Sequence, residues 1–210
     1  MKILIIAATI HEIKPLLDHF GLTDKKFPAN EKFEVLVTGV GMTATAYALG
    51  RHLNNGYDLV VNLGIGGCFD KSIALGTVLN VIEDTFADLG AEDHERFLSI
   101  DDLNMGKSTY RADHSLLFGG LSQLKKVKGI TVNRVHGSEK SILDSSARLS
   151  PVVESMEGAA VLYCCEQLKI PCLQIRSISN YVEPRNREAW QIALAISNLN
   201  HWAIDFLTNC

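Results

Sequence analysis

Two polar segments hold the residues of this chain best suited to chemistry. One is Glu154-Ser155-Met156-Glu157-Gly158-Ala159-Ala160, and the other is Arg176-Ser177-Ile178-Ser179-Asn180. The first stands where an apolar helix begins and the second where an apolar strand ends. In α/β folds ligands bind in the crevice at such junctions. The groups on offer are carboxylates, a guanidinium, small hydroxyls and an amide. Together they suit a hydroxylated, nitrogen-rich small molecule such as a nucleoside. Each residue also has a plain structural reading. Glu157 could be a first-turn acid favoured by the helix dipole, with Ser155 as cap. Arg176 follows the apolar run from Ile170 to Ile175. Burying it there requires a partner, and a glutamate would serve a structural pair or a catalytic cluster equally. Asn180 could close a turn.

Three further places invite the same double reading. Glu12 lies three positions after Thr9, the spacing of a helix capping box, and it is also a site candidate. Gly39-Val40-Gly41-x-x-Ala44 loosely matches a dinucleotide fingerprint. The acid expected about twenty residues later is missing near Asn62, so tight-turn glycines are the better reading. Gly64-Ile65-Gly66-Gly67 follows a strand and is either a simple turn or a place where the backbone can approach a ligand. The histidines at 11, 19, 52, 94, 114, 136 and 201 show no metal spacing and read mostly as surface residues. Ser155 lacks the context of a nucleophile elbow. Neither a metal nor a cofactor is expected.

The elements that must position these groups alternate. Buried strands are expected over 2–8, 33–38, 58–63, 77–82 and 172–178, with another over 130–135. Helices are expected over 9–19, 43–53, 139–147, 157–168 and 187–207. Residues 87–113 lack periodicity and read as a long, largely irregular excursion. This alternation implies a layered α/β fold. No linker, repeat or low-complexity tract divides the chain, so residues 1–210 form one domain.

Bulk properties narrow the class further. A net charge of −4 without a basic block argues against nucleic-acid binding. The cysteines, at 68, 164, 165, 172 and 210, form no Cys-x-x-Cys pair and are odd in number. Free thiols in a reducing compartment follow, which points to the cytoplasm. The opening apolar run is too short for a leader's core and reads as a buried strand. No run is long enough to cross a membrane.

As a set these residues resemble the purine nucleoside phosphorylase/nucleosidase superfamily, in its hydrolytic branch. The likeness covers Glu12, the glycines at 64–67, Ser155 to Ala160, and Arg176-x-Ile178-Ser179-Asn180. It implies a three-layer α/β/α sandwich with a mixed central sheet, and a homodimer or higher homo-oligomer. It also implies roles. Glu12 helps activate a water, Glu157 binds the ribose hydroxyls, Met156 lines the sugar, and Arg176 helps hold the acid and the water. Gly66, Gly67, Ser155 and Ser179 are further substrate contacts, and Trp190 stands where the family places an aromatic of the 5′ pocket. Phosphorylase members carry an arginine in the N-terminal loop and a serine at the strand-end glycines. Here 7–14 has no arginine and Ile65 replaces the serine, so hydrolysis is expected.

The departure is Asn180, where the family usually has Asp. An amide offers one acceptor and two donors, which matches a 6-oxopurine better than a 6-aminopurine. The stretches 180–187 and 88–93 are similar to the branch that acts on futalosine, an inosine-like nucleoside with a 5′ aryl carboxylate. Trp190 could stack on the aryl group. Arg96, Arg185 and Arg187 are candidates for its carboxylate. The expected reaction is release of hypoxanthine, as in the alternative menaquinone route. The nearest rival is a nucleosidase of 5′-thioadenosine compounds, and the second is a purine nucleoside phosphorylase or a non-catalytic, storage-type relative.

Overall fold

Strand β1 (Ile3–Ala7) is apolar at every position because both of its faces are covered. Ile3, Ile5 and Ala7 face one core, while Leu4 and Ile6 face another. A continuous apolar run is the mark of a strand sandwiched between helical layers. The computed structural model describes residues 1–23, 28–54, 56–112 and 121–209. Asp113, at the end of the expected excursion, His114 and Cys210 lie outside them.

The chain continues through α1 (Ile10–His19), β2 (Phe33–Val37), α2 (Met42–His52), β3 (Leu59–Cys68) and β4 (Val78–Phe86). A hairpin of β5 (Gly90–Asp93) and β6 (Arg96–Ser99) follows, then β7 (Thr109–Arg111) and β8 (Lys126–Thr131). The last elements are α3 (Glu139–Leu149), β9 (Val153–Ser155), α4 (Gly158–Leu168), β10 (Cys172–Tyr181) and α5 (Ile192–Thr208). The main sheet runs β10-β4-β8-β9-β3-β1-β2, with β7 on β4. It is mixed: β1, β2, β3 and β10 pair in parallel, whereas β10–β4 and β3–β9 are antiparallel. Helices α1 and α5 cover one face through Ile13, Leu16, Leu17, Leu199 and Phe206. Helices α2 and α4 cover the other through Leu49, Val161, Leu162 and Cys165. The expected three-layer α/β/α sandwich is the observed fold.

One feature of the sheet positions the site. Along one edge β3 pairs with β10 over almost its whole length. On the other edge its first residues pair with β1, and Gly67 and Cys68 then pair with β9. Because β10 also pairs with β4, the strands β10, β4, β8, β9 and β3 close into a ring. Cys68, Leu79, Val81, Val127, Val153 and Ile178 fill its interior.

Several expectations change in consequence. Gly64 to Gly67 are not a turn after a strand; they lie within β3, which continues to Cys68. The β10 strand runs past residue 178 to Tyr181, because Asn180 and Tyr181 pair with Gly67 and Cys68 beyond a register shift. The strand expected over 130–135 occupies 126–131, where both β4 and β9 offer ladder partners. The excursion over 87–113 contains the β5–β6 hairpin and β7. The last helix begins at Ile192 rather than 187, after a 3-10 turn over Arg187–Ala189. The Gln191 N–H donates to Ser179 O at 2.7 Å, which ties that approach extended beside β10.

Candidate active site

Glu12 occupies the first turn of α1, and its two readings coexist. Its Oε2 accepts from the Thr9 N–H at 2.9 Å and from Thr9 Oγ1 at 3.0 Å. Its Oε1 accepts from the Ile65 N–H at 3.2 Å, across the start of the cavity. The capping-box glutamate thus also aims its carboxyl group at the middle of β3.

Glu157 stands at the entrance to α4. Its Oε1 accepts from the Gly41 N–H at 2.9 Å. Gly41 has φ of 92°, a conformation glycine adopts without steric cost, and it opens α2. The glycines at 39 and 41 therefore make the tight turn that was expected, and the turn turns a backbone donor onto a carboxylate. Burial pushes the Glu157 carboxyl upward, an effect opposed by the Arg176 charge and the Gly41 N–H and reinforced by the Glu12 charge. Ser155 Oγ accepts from the Gly158 N–H at 3.3 Å, consistent with its capping reading.

Arg176 corrects one expectation. It is 1% exposed and sits under the cavity floor rather than in its lining. Among the described residues no glutamate forms the ion pair expected for it. Its Nη1 donates to Asn62 Oδ1 at 3.2 Å and to Ile175 O at 3.3 Å, and Nε has no hydrogen-bond partner among the described residues. A Cβ on Gly64 would lie 2.8 Å from Arg176 Nη1 and 3.1 Å from Glu12 Oε1. The missing side chain at Gly64 is what lets the guanidinium and the carboxylate approach one space.

Asn180 is oriented by its neighbours. Its Nδ2 donates to Tyr181 O at 3.0 Å, and its Oδ1 accepts from Ser179 Oγ at 2.8 Å. A carbonyl oxygen can only accept, so the amide's direction is determined, with one N–H and one lone pair left over.

Glu12, Glu157, Asn180, Gly66, Gly67, Ser155, Met156, Ser179 and Trp190 line a single cavity of about 340 Å³. Arg185 joins them, with its guanidinium 5.2 Å from the centre of the Trp190 ring. Arg187 lies 5.8 Å from the same ring but outside the lining. Arg96 faces a different hollow beside α3 and is not brought to the site. Sequence reasoning missed His136 and undervalued Glu154. His136 was grouped with the surface histidines, yet its side chain is only 15% exposed and lines the cavity. Its signal, a histidine a few residues beyond a buried strand, is too weak to read alone. Among the described residues no group of three or more His, Cys, Asp or Glu could hold a metal ion. No helix among them is long and apolar enough to cross a membrane. Cys68, Cys164, Cys165 and Cys172 are free thiols.

A mixed α/β sheet with this cavity at its strand ends defines a class, and comparison with known proteins places the chain within it. The phosphorylase superfamily profile matches residues 2–207, and the chain belongs to that family. Its relatives are nucleosidases, and it is an enzyme of that kind, an N-glycosyl hydrolase. The chain is 32% identical to the futalosine hydrolase of Streptomyces coelicolor, over 85% of this chain and 79% of that one. It is 26% identical to the 5′-methylthioadenosine/S-adenosylhomocysteine nucleosidase of Colwellia psychrerythraea, over 87% and 81%. The crystal structure of a nucleosidase of that name from Colwellia psychrerythraea, in complex with adenine, superposes with a TM-score of 0.81. It shares 23% identity and covers 100% of this chain and 95% of its own, a likeness of fold.

Proposed function

We propose that the enzyme hydrolyses the N-glycosidic bond of futalosine and releases hypoxanthine, serving the futalosine route to menaquinone. The observation that carries this reading is the meeting of Glu12, Glu157 and Asn180 around one cavity. Cleavage of the bond builds positive charge on the sugar and negative charge on the base. Glu157, partly desolvated, stabilises the sugar's charge and accepts from its hydroxyls. Asn180 donates its free N–H toward N7 of the leaving base. Glu12, fixed by three donors, takes the proton of a water held between itself and Arg176 over Gly64. Arg176 is a positioning residue in this scheme, since it lies beneath the cavity.

Asn180 supports an oxopurine over an aminopurine. N7 and O6 of a 6-oxopurine are both acceptors, so the amide serves them with its two N–H groups, one of which leaves Tyr181 O when the base binds. Trp190, with Arg185 over its ring, supports an aryl carboxylate at the 5′ end. A second reading, a nucleosidase of 5′-thioadenosine compounds, is favoured by the likeness to the Colwellia psychrerythraea enzyme. We also propose a homo-oligomer. Val37, Val40 and Tyr47 are exposed apolar side chains, and Val40 lines the cavity itself. Mass spectrometry of products from a nucleoside panel, with and without phosphate, tests the assignment. Hypoxanthine and free sugar without phosphate are expected. Preferred release of adenine would favour the second reading, and turnover only with phosphate would reject hydrolysis.

A further inference from the structure

Glu154 and His136 form a pair that the scheme above does not use. Glu154 is 4% exposed on β9, and its carboxylate accepts from the His136 backbone N–H at 3.1 Å and from ring Nδ1. A carboxylate only accepts, so Nδ1 carries the proton. In the neutral ring Nε2 is then an acceptor. Among the described residues no hydrogen-bond partner meets Nε2. Phe69 packs edge-on to the ring at 6.2 Å, restricting its rotation.

The register places this pair opposite Asn180. Asn180 on β10 is aligned with Gly67 on β3, and Gly67 with Glu154 on β9. Neighbouring strands are about 4.8 Å apart, so the outer two stand about 10 Å apart with a bare glycine between them. All of these residues line the one cavity. Gly67 leaves a slot whose walls are an amide on one side and a buried glutamate with its histidine on the other.

We infer that His136, held by Glu154, reads the leaving base on the edge away from Asn180, accepting a hydrogen bond from N1–H of a 6-oxopurine. This rests on the nucleosidase reading and on a base seated over Gly67. A 6-oxopurine carries a proton at N1, whereas a 6-aminopurine presents a lone pair there. An acceptor at Nε2 therefore favours the first and repels the second. His136 becomes a specificity residue and Glu154 the residue that sets its tautomer.

The test is the ratio of kcat/KM for matched 6-oxo and 6-amino nucleosides carrying the same 5′ group. In His136→Phe the ratio should fall about tenfold, the value of one hydrogen bond. In Glu154→Gln the new amide can donate to Nδ1 and move the ring proton to Nε2, so the ratio should fall as well. A ratio compares two substrates on one preparation, so a loss of folded protein leaves it unmoved. Glu154→Gln preserves the buried shape and carries the test if His136→Phe does not fold. An unchanged ratio in both variants overturns the inference. Should the wild-type protein cleave no purine nucleoside, the functional reading fails separately. Calorimetric binding of free hypoxanthine and adenine then decides: a preference for hypoxanthine that His136→Phe abolishes supports the inference, and its persistence or absence overturns it.

Discussion

Glu157 is asked to stay charged in a place that disfavours charge. Its carboxyl is raised by burial and by Glu12, and held in use by Arg176 and the Gly41 N–H. Replacing it with Gln removes the charge and keeps the shape. Glu157→Gln should lower kcat by about 10²–10³-fold, the scale of losing one electrostatic stabiliser, with unchanged circular dichroism. Near-wild-type kcat would remove Glu157 from the mechanism. Asn180→Asp should move base preference toward 6-aminopurines in the same competition assay; an unchanged preference would count against the amide argument. A third carboxylate behaves differently. Asp84 is fully buried, and burial lifts it to about 6 despite donors from Gln174 and Thr131 and the Arg176 charge. The folded protein therefore holds a proton there that the unfolded chain releases at lower pH. Stability from this group is present at low pH and is lost as pH rises from about 4 to about 6. The loss amounts to about 3 kcal/mol at most. Urea unfolding at pH 4.5 and 7.5 should show wild-type protein losing ground to Asp84→Asn at the higher pH. Parallel pH dependence in the two proteins would show that Asp84 does not titrate.

At the scale of elements, the site depends on backbone that has no side chain. The glycines of β3 let two elements meet over a strand that would otherwise be roofed by side chains. A Cβ at Gly64 would enter the space between Arg176 Nη1 and Glu12 Oε1. Gly64→Ala should therefore reduce kcat more than it raises KM, because it displaces the base and its water rather than the bound sugar. Stopped assays over a substrate range separate the two effects; a pure KM change would place Gly64 in substrate binding instead. At the α4 entrance the crowding is greater. A Cβ at Gly158 would collide with Asp84 Oδ2 and with both side-chain heteroatoms of Gln174. Thr131 bridges the same network, donating to Asp84 Oδ1 at 2.9 Å and accepting from the Ala159 N–H at 2.7 Å. The helix that presents Glu157 is thus anchored from below by buried polar groups.

The whole molecule joins these parts through the ring of strands. Because β10, β3 and β9 lie side by side, Asn180, Gly67 and Glu154 share a row although they are far apart along the chain. A ligand seated there bridges three strands and α4, so binding should stabilise the fold as a unit. Hypoxanthine at a hundredfold excess over its Kd should add about 2.7 kcal/mol. That corresponds to a Tm rise of roughly 5–10 °C for a chain of this size. Scanning fluorimetry of Glu157→Gln, which keeps the base side intact, reads this without turnover, and no shift would place the base elsewhere. Sedimentation equilibrium should give the mass of two or more chains, and a monomer would reject the proposed oligomer.

Most of the layered fold could be read from the chain itself. Continuous apolar runs marked the strands buried on both faces, such as β1, and helical periodicity marked α1 and α4, because both are local responses to burial. Glu12, Glu157 and Asn180 could be picked out for a related reason: they break apolar patterns at element ends, where a polar group needs a purpose. The errors also share a cause. Gly64 to Gly67 read as a turn because glycine weakens a strand locally, but β10 and β9 hold that stretch in the ladder from both sides. Arg176 read as half of an ion pair, but tertiary packing set it beneath Gly64 beside Asn62. His136 had no local signal, since its meaning comes from a carboxylate 18 residues away on another strand. The sequence alone determined the elements and the chemical types at their ends, through periodicity and capping. Strand register, which no local pattern encodes, decided which of those ends meet and therefore where the pocket is.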